Sequence, residues 1–405
     1  MPDMTVTHTP AIKPESHRLQ QIPPYATAQL EVLRAAAEAK GLQVIDLGIG
    51  SPDLPTPRPV VEAAMQAVQD PTNHGYPSFK GKKSFREAIA RWYGRRFGVE
   101  LDPETEILPL IGSKEGLAKL PLAFINPGDK TLVPVPAYPV HTRGTILAGG
   151  EVVPVSCAPH LGFLPEWNTV RPEDADAAKL LIFNFPSNPT TAVAPRSFYE
   201  DTLEFAQRHD VMIVHDLAYA DLAFDGFRPT SMLEIPGAKE HGTLEFFTMS
   251  KTYNMAGWRC GFVVGSAEMI HALYRVKTNM DYGVPNFIQD AAIAALELPA
   301  AHVEELIGIY QERRDVVVEG LNRLGWSVEK PRASMYVWAP VPAGEKSFDF
   351  VARVIDQAGV VFTPGTGFGE AGQGWFRISL VRPAEVLAEA LKRLEDAGIR
   401  FDARS

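Results

Sequence analysis

Cysteine is almost absent from this chain, with two residues, Cys157 and Cys260, among 405. They lie in separate apolar stretches, which excludes a disulfide framework and gives no metal-ligand spacing. Both read as reduced core thiols; Arg259 beside Cys260 would favour a thiolate, but burial is the simpler reading. No apolar run is long enough to cross a bilayer, and residues 1–14 lack the charged and apolar regions of a signal peptide, so membrane contact is not expected and the cytoplasm is. No cluster of lysine or arginine offsets the net charge of -10, so nucleic acid is not an expected partner. Internal repeats and low-complexity segments are also missing.

What is present is a hydrophobic content of 45% over a length that predicts more than one domain. Residues 1–17 carry no hydrophobic period and read as a mobile arm. Apolar runs at 107–111, 131–135, 151–155, 180–184, 211–216 and 244–248 read as strands, and helical periods fall between several of them. Strands this uniformly apolar predict an α/β fold with a largely parallel sheet covered on both faces, and ligands then gather at the strands' carboxyl ends. A long helix over 301–324 leads into a smaller α+β region. The expected division is a small domain of 18–51 and 297–405 and a large one of 52–296.

The polar groups that follow those strands are chemically complementary. Ser250-Lys251 comes straight after an apolar strand, and Arg259 follows across a loop containing Gly257. A lysine in largely apolar surroundings can lose its proton and attack a carbonyl, while an arginine presents a planar fork to a phosphate. Pyridoxal phosphate needs both, and also an aspartate beside its ring nitrogen, a role that fits Asp216. Tyr219 and Asn188 are candidate donors to the ring's phenolic oxygen, Tyr138 a stacking partner, and Arg377 a fork for an α-carboxylate. Gly112-Ser113-Lys114-Glu115-Gly116, between a strand and a helix expected from Leu117, suits an anion at a helix start without the spacing of a P-loop. Gly367 to Gly372 fits G-x-G-x-x-G, but a strand follows where the dinucleotide fingerprint requires a helix. Taken singly, each has an ordinary structural reading; Asp216 alone would serve equally well as a helix cap.

Asn188-Pro189-Thr190, Asp216 with Tyr219, Ser250-Lys251 with Arg259, and Arg377 resemble, in order and spacing, the motifs of the fold-type I pyridoxal phosphate aminotransferases of class I/II. The likeness runs from about residue 22 to the C-terminus and is strongest to the LL-diaminopimelate aminotransferase group. It implies that Lys251 carries the cofactor and moves the substrate proton, that Asp216 and Tyr219 tune the ring, and that Ser113, Lys114, Thr248, Ser250 and Arg259 surround the phosphate. It implies further that Tyr25, Gly50, Asn188 and Arg377 meet an amino acid or 2-oxo acid substrate. Tyr76 and Asn286 would reach the site of a neighbouring subunit, which makes the expected assembly a homodimer with shared active sites.

Three residues depart from the family pattern: Thr191 where glycine is usual, His141 where tyrosine is common, and Tyr282 where a smaller residue is frequent. They are expected at or near the substrate side. The first reading is a ping-pong transfer from LL-diaminopimelate to 2-oxoglutarate. An alanine-, aspartate- or glutamate-type aminotransferase, a carbon–sulfur β-lyase and a non-catalytic pyridoxal-binding regulator stay open.

Overall fold

Alternation along buried strands organises the centre of the molecule. In Ala178–Phe183, Leu181 and Phe183 face one apolar cluster while Leu180 and Ile182 face another. Ile213 and Val214 divide in the same way on Met212–Asp216, as do Phe247 and Phe246 on Thr243–Thr248. A strand that buries both sets must be covered on both faces. The computed structural model of the chain describes residues 15–24 and 26–401. Its main sheet has seven strands in the order Ile107–Leu110, Gly261–Gly265, Thr243–Thr248, Met212–Asp216, Ala178–Phe183, Lys130–Val135, Glu151–Ser156. Only Gly261–Gly265 runs antiparallel to its neighbours. Among the described residues no helix is long and apolar enough to cross a membrane.

A separate core is formed by Leu30, Leu47, Tyr310, Leu321, Val337, Phe350, Phe376 and Leu391, with their neighbours. Its sheet is antiparallel, in the order Thr363–Pro364, Trp375–Ser379, Tyr336–Pro340, and the 24-residue helix Ala300–Arg323 packs on the final helix Ala384–Asp396. A backbone junction ties this core to the main sheet's loops, and an ion pair fixes the segment that follows residue 50. Ser334 donates its backbone N–H to Leu222 O at 2.7 Å and Phe224 to Arg332 O at 2.8 Å, flanking an antiparallel bridge between Ala223 and Ala333. Arg313 grips Asp53 through both guanidinium nitrogens, at 2.7 and 2.9 Å.

Two local expectations change. The helix expected from Leu117 begins at Ser113, because Gly112 alone makes the turn, at φ +76°. Gly116 lies inside that helix, where a Cβ would press on Leu110 and Phe246, so its absence lets helix and sheet approach. Of the expected arm, residues 1–14 lie outside the described range, and His17 opens the short helix His17–Gln20.

Beneath the strand that ends in Asp216 lies a dry polar cluster. Glu245 accepts from His215 Nδ1 at 2.7 Å, Ser231 Oγ at 2.6 Å, Met232 N at 2.5 Å and the Tyr93 hydroxyl, and His215 Nε2 faces Phe185 O at 2.8 Å. Both His215 nitrogens face acceptors, and Glu245 gathers several donors around one buried carboxylate. Removing one partner of such a buried pair strands the other. Glu245→Ala is therefore expected to lower unfolding stability by about 3–5 kcal/mol, measured by denaturant titration; a loss below about 1 kcal/mol would refute this account of the cluster.

Candidate active site

Five strand ends of the main sheet meet segments at 48–51, 336, 363–368 and 377 around a cavity of about 400 Å³. Gly50, Ser113, Lys114, Tyr138, Asn188, Asp216, Tyr219, Thr248, Ser250, Lys251, Arg259 and Arg377 all line it. Tyr76 and Asn286 do not, and Tyr25 lies outside the described residues. Tyr76 is 81% exposed and stacks on Tyr282, with ring centroids 4.3 Å apart. A larger hollow, about 510 Å³, lies by Trp167 and Phe205. There Arg208 pairs with Glu204 and His209 with Asp176, each at 2.6 Å.

Lys251 sits in the short helical turn Met249–Thr252, which Thr248 caps by accepting the Ser250 N–H at 3.1 Å. Its Nζ donates to Gly50 O at 2.7 Å. Burial disfavours the ammonium, and Arg377 and Arg259 add repulsion; these outweigh the opposite pull of Tyr336 and Asp216, so the lysine titrates below its ordinary value. Cys260, by contrast, is an inert thiol: burial outweighs the neighbouring Arg259 and pushes it up to about 12, and Cys157 is likewise buried and raised to about 12.

At one end of the cavity Asp216 Oδ2 is 3.0 Å from His141 Nε2, while Oδ1 is buried with no hydrogen-bond partner among the described residues. His141 was expected toward the substrate side; the structure corrects this, since it is buried against the aspartate. At the other end Ser113, Thr248, Ser250 and Arg259 converge. A Cβ on Gly112 would overlap the Arg259 guanidinium, so that glycine admits the arginine to the helix start. A third wall holds Arg377, 6% exposed, donating from Nη1 to Asn188 Oδ1 at 2.7 Å and from Nη2 to Gly48 O at 2.8 Å. Asn188 N donates to Asn184 Oδ1 at 2.7 Å, and Asn184 Nδ2 to Asp216 O at 2.6 Å, so one relay of amides joins arginine wall and aspartate.

These features fit pyridoxal phosphate. A buried carboxylate oxygen without a partner suits a protonated ring nitrogen, the hydroxyl and guanidinium cluster suits a phosphate, and a lysine of depressed pKa lies between them. Sequence reasoning missed Tyr336, Thr363 and Phe368, which also line the cavity. Nothing but alternation marked Tyr336, and alternation says only that it is buried.

Fold and cavity together define a pyridoxal-phosphate-dependent enzyme of fold type I. The aminotransferase class I and II family matches residues 43–394, and the chain belongs to that family: it is an aminotransferase. An LL-diaminopimelate aminotransferase of Desulforudis audaxviator is 51% identical over 94% of this chain and 97% of its own length. One of Gloeobacter violaceus is 48% identical over 95% and 98%. Among solved structures, substrate-bound BacF of Bacillus subtilis superposes with TM-score 0.93 at 37% identity, covering 97% of this chain and all of its own. A mutant Thermus thermophilus aspartate aminotransferase reaches 0.89 at 32%, over 95% of this chain and all of its own.

Thr191, where glycine is usual, takes φ +60°. A β-branched side chain is strained in that region. Thr191→Gly is expected to raise stability by about 1 kcal/mol net of the added chain entropy, read as a higher denaturation midpoint; an unchanged or lower midpoint would show the strain is relieved elsewhere.

Proposed function

We propose that the protein moves the α-amino group of LL-diaminopimelate to 2-oxoglutarate in two half-reactions, donor oxo acid leaving before acceptor enters. The full-length likeness to relatives bearing that name carries the choice of donor. Pyridoxal phosphate, when bound, supplies an aldehyde that condenses with amines and a ring that accepts electron density from the substrate α-carbon.

The chain's own residues would do the rest. Arg377 would hold the α-carboxylate, and its orientation is already set by Asn188 and Gly48. Lys251, whose ammonium form is disfavoured by burial and by Arg377 and Arg259, would take the proton from the substrate α-carbon and pass it to the carbon supplied by the cofactor's aldehyde. Asp216, fixed by His141, would keep a proton on the ring nitrogen, and Tyr219 and Asn188 would donate to the phenolic oxygen. Ser113, Lys114, Thr248, Ser250 and Arg259 would receive the phosphate, and Tyr138 would cover the ring.

The test is an absorbance scan of the cofactor-loaded protein with LL-diaminopimelate, glutamate, aspartate, alanine or cystathionine added singly, no oxo acid present. LL-diaminopimelate should bleach the cofactor's visible band and release one equivalent of its oxo acid, and 2-oxoglutarate should restore the band. Bleaching by another donor alone would overturn the substrate, and pyruvate from cystathionine with the band intact would mean a lyase.

We further propose a homodimer in which Tyr76 and Asn286 enter the partner's cavity. Support comes from their place outside this chain's own cavity and from the exposed Tyr76–Tyr282 stack. Mixing Lys251→Ala with Tyr76→Ala subunits should restore about one quarter of wild-type activity, because half the dimers then carry one intact site. No recovery after subunit exchange would argue against shared sites.

A further inference from the structure

Tyr336 touches three cavity residues already described, Tyr219, Arg377 and Gly50. The backbone junction at Ala223 and Ala333 sets Tyr219 and Tyr336 a few residues to either side of one bridge, which brings their rings together. The centroids are 5.8 Å apart at 75°, and the Tyr219 hydroxyl donates to the Tyr336 hydroxyl at 3.3 Å. The Tyr336 ring also lies 4.1 Å from the Arg377 guanidinium carbon. A Cβ on Gly50 would overlap the Tyr336 hydroxyl, so the tyrosine rests on the residue whose carbonyl holds the Lys251 amine.

A phenol has one proton to give and two lone pairs to fill. With the cavity holding protein groups alone, Tyr219 gives its proton to Tyr336. Once Tyr219 turns that proton toward a ligand oxygen, its own oxygen is left open in a buried site. Tyr336 is placed to donate there, and a donor arriving from behind strengthens the bond made in front. The charges agree with this division: burial and the Tyr336 hydroxyl hold the Tyr219 phenol well above its ordinary pKa, so it keeps a proton to donate. For Tyr336, burial is opposed and outweighed by the positive charges of Lys251 and Arg377 and by the hydrogen bond from Tyr219, leaving that phenol below its ordinary value.

We propose that Tyr336 is a positioning residue for the transamination, its hydroxyl backing the hydrogen bond that Tyr219 makes to the cofactor's phenolic oxygen. This rests on the role given to Tyr219 above. It explains why glycine stands at position 50, where any side chain would displace the second phenol.

The test is a pH titration of the visible band of the cofactor-loaded enzyme, for wild type, Tyr336→Phe, Tyr219→Phe and the double variant, with thermal melting as the check on folding. Phenylalanine keeps the ring against Arg377 and Gly50, so the fold should hold. Weaker donation leaves more negative charge on the cofactor oxygen, and the chromophore then keeps its proton to higher pH. Tyr336→Phe should raise the midpoint by about 0.5–1 pH unit, the scale of one hydrogen bond, and lower kcat by about tenfold. In the Tyr219→Phe background the added shift should vanish. An unmoved midpoint in the folded Tyr336→Phe enzyme, or a shift that persists in full without the Tyr219 hydroxyl, would overturn the proposal. No shift in Tyr219→Phe itself would instead remove the role assigned to Tyr219, and this one with it.

Discussion

An amine whose charge is disfavoured is the condition on which the rest of this site depends. Lys251 stands part-buried among two arginines, a carboxylate and a phenol, and among the described residues its hydrogen-bond acceptor is the backbone carbonyl of Gly50. A carbonyl satisfies the amine without the full charge that a carboxylate would bring, so burial can still act against the ammonium. The lysine therefore gives up its proton more readily than a free one. Each arginine stands where an anion could be received and is also a cation that disfavours charge on Lys251.

The same economy runs through the polar walls. Asn184 and Asn188 pass one set of hydrogen bonds from the Asp216 backbone to the Arg377 guanidinium, so the aspartate and the arginine wall are held in one register. Behind Asp216 its own strand continues into the His215–Glu245 cluster, which fixes that strand from the opposite face.

Much of this could be read before any coordinates. Lys251, Asp216, Tyr138 and Asn188 follow apolar strands directly, and in a covered parallel sheet the residues after strand ends share one crevice. Thr191 was visible as a departure, though not its positive φ, which is a property of the turn and not of the residue. His141 was misplaced because its helix carries little periodicity to say which way a side chain turns. Tyr336 was out of reach: its neighbour Tyr219 is more than a hundred residues away, and their meeting depends on the backbone junction of 222–224 with 332–334.

The grip of Arg313 on Asp53 has a bearing on how Lys251 is held. Asp53 stands three residues after Gly50, while Gly48 is held by Arg377, so the segment between them is fastened at both ends to the second core and not to the sheet that carries Lys251. Lys251 thus takes its protein acceptor from a segment anchored to the other core, and any change in how that segment is held reaches the amine directly.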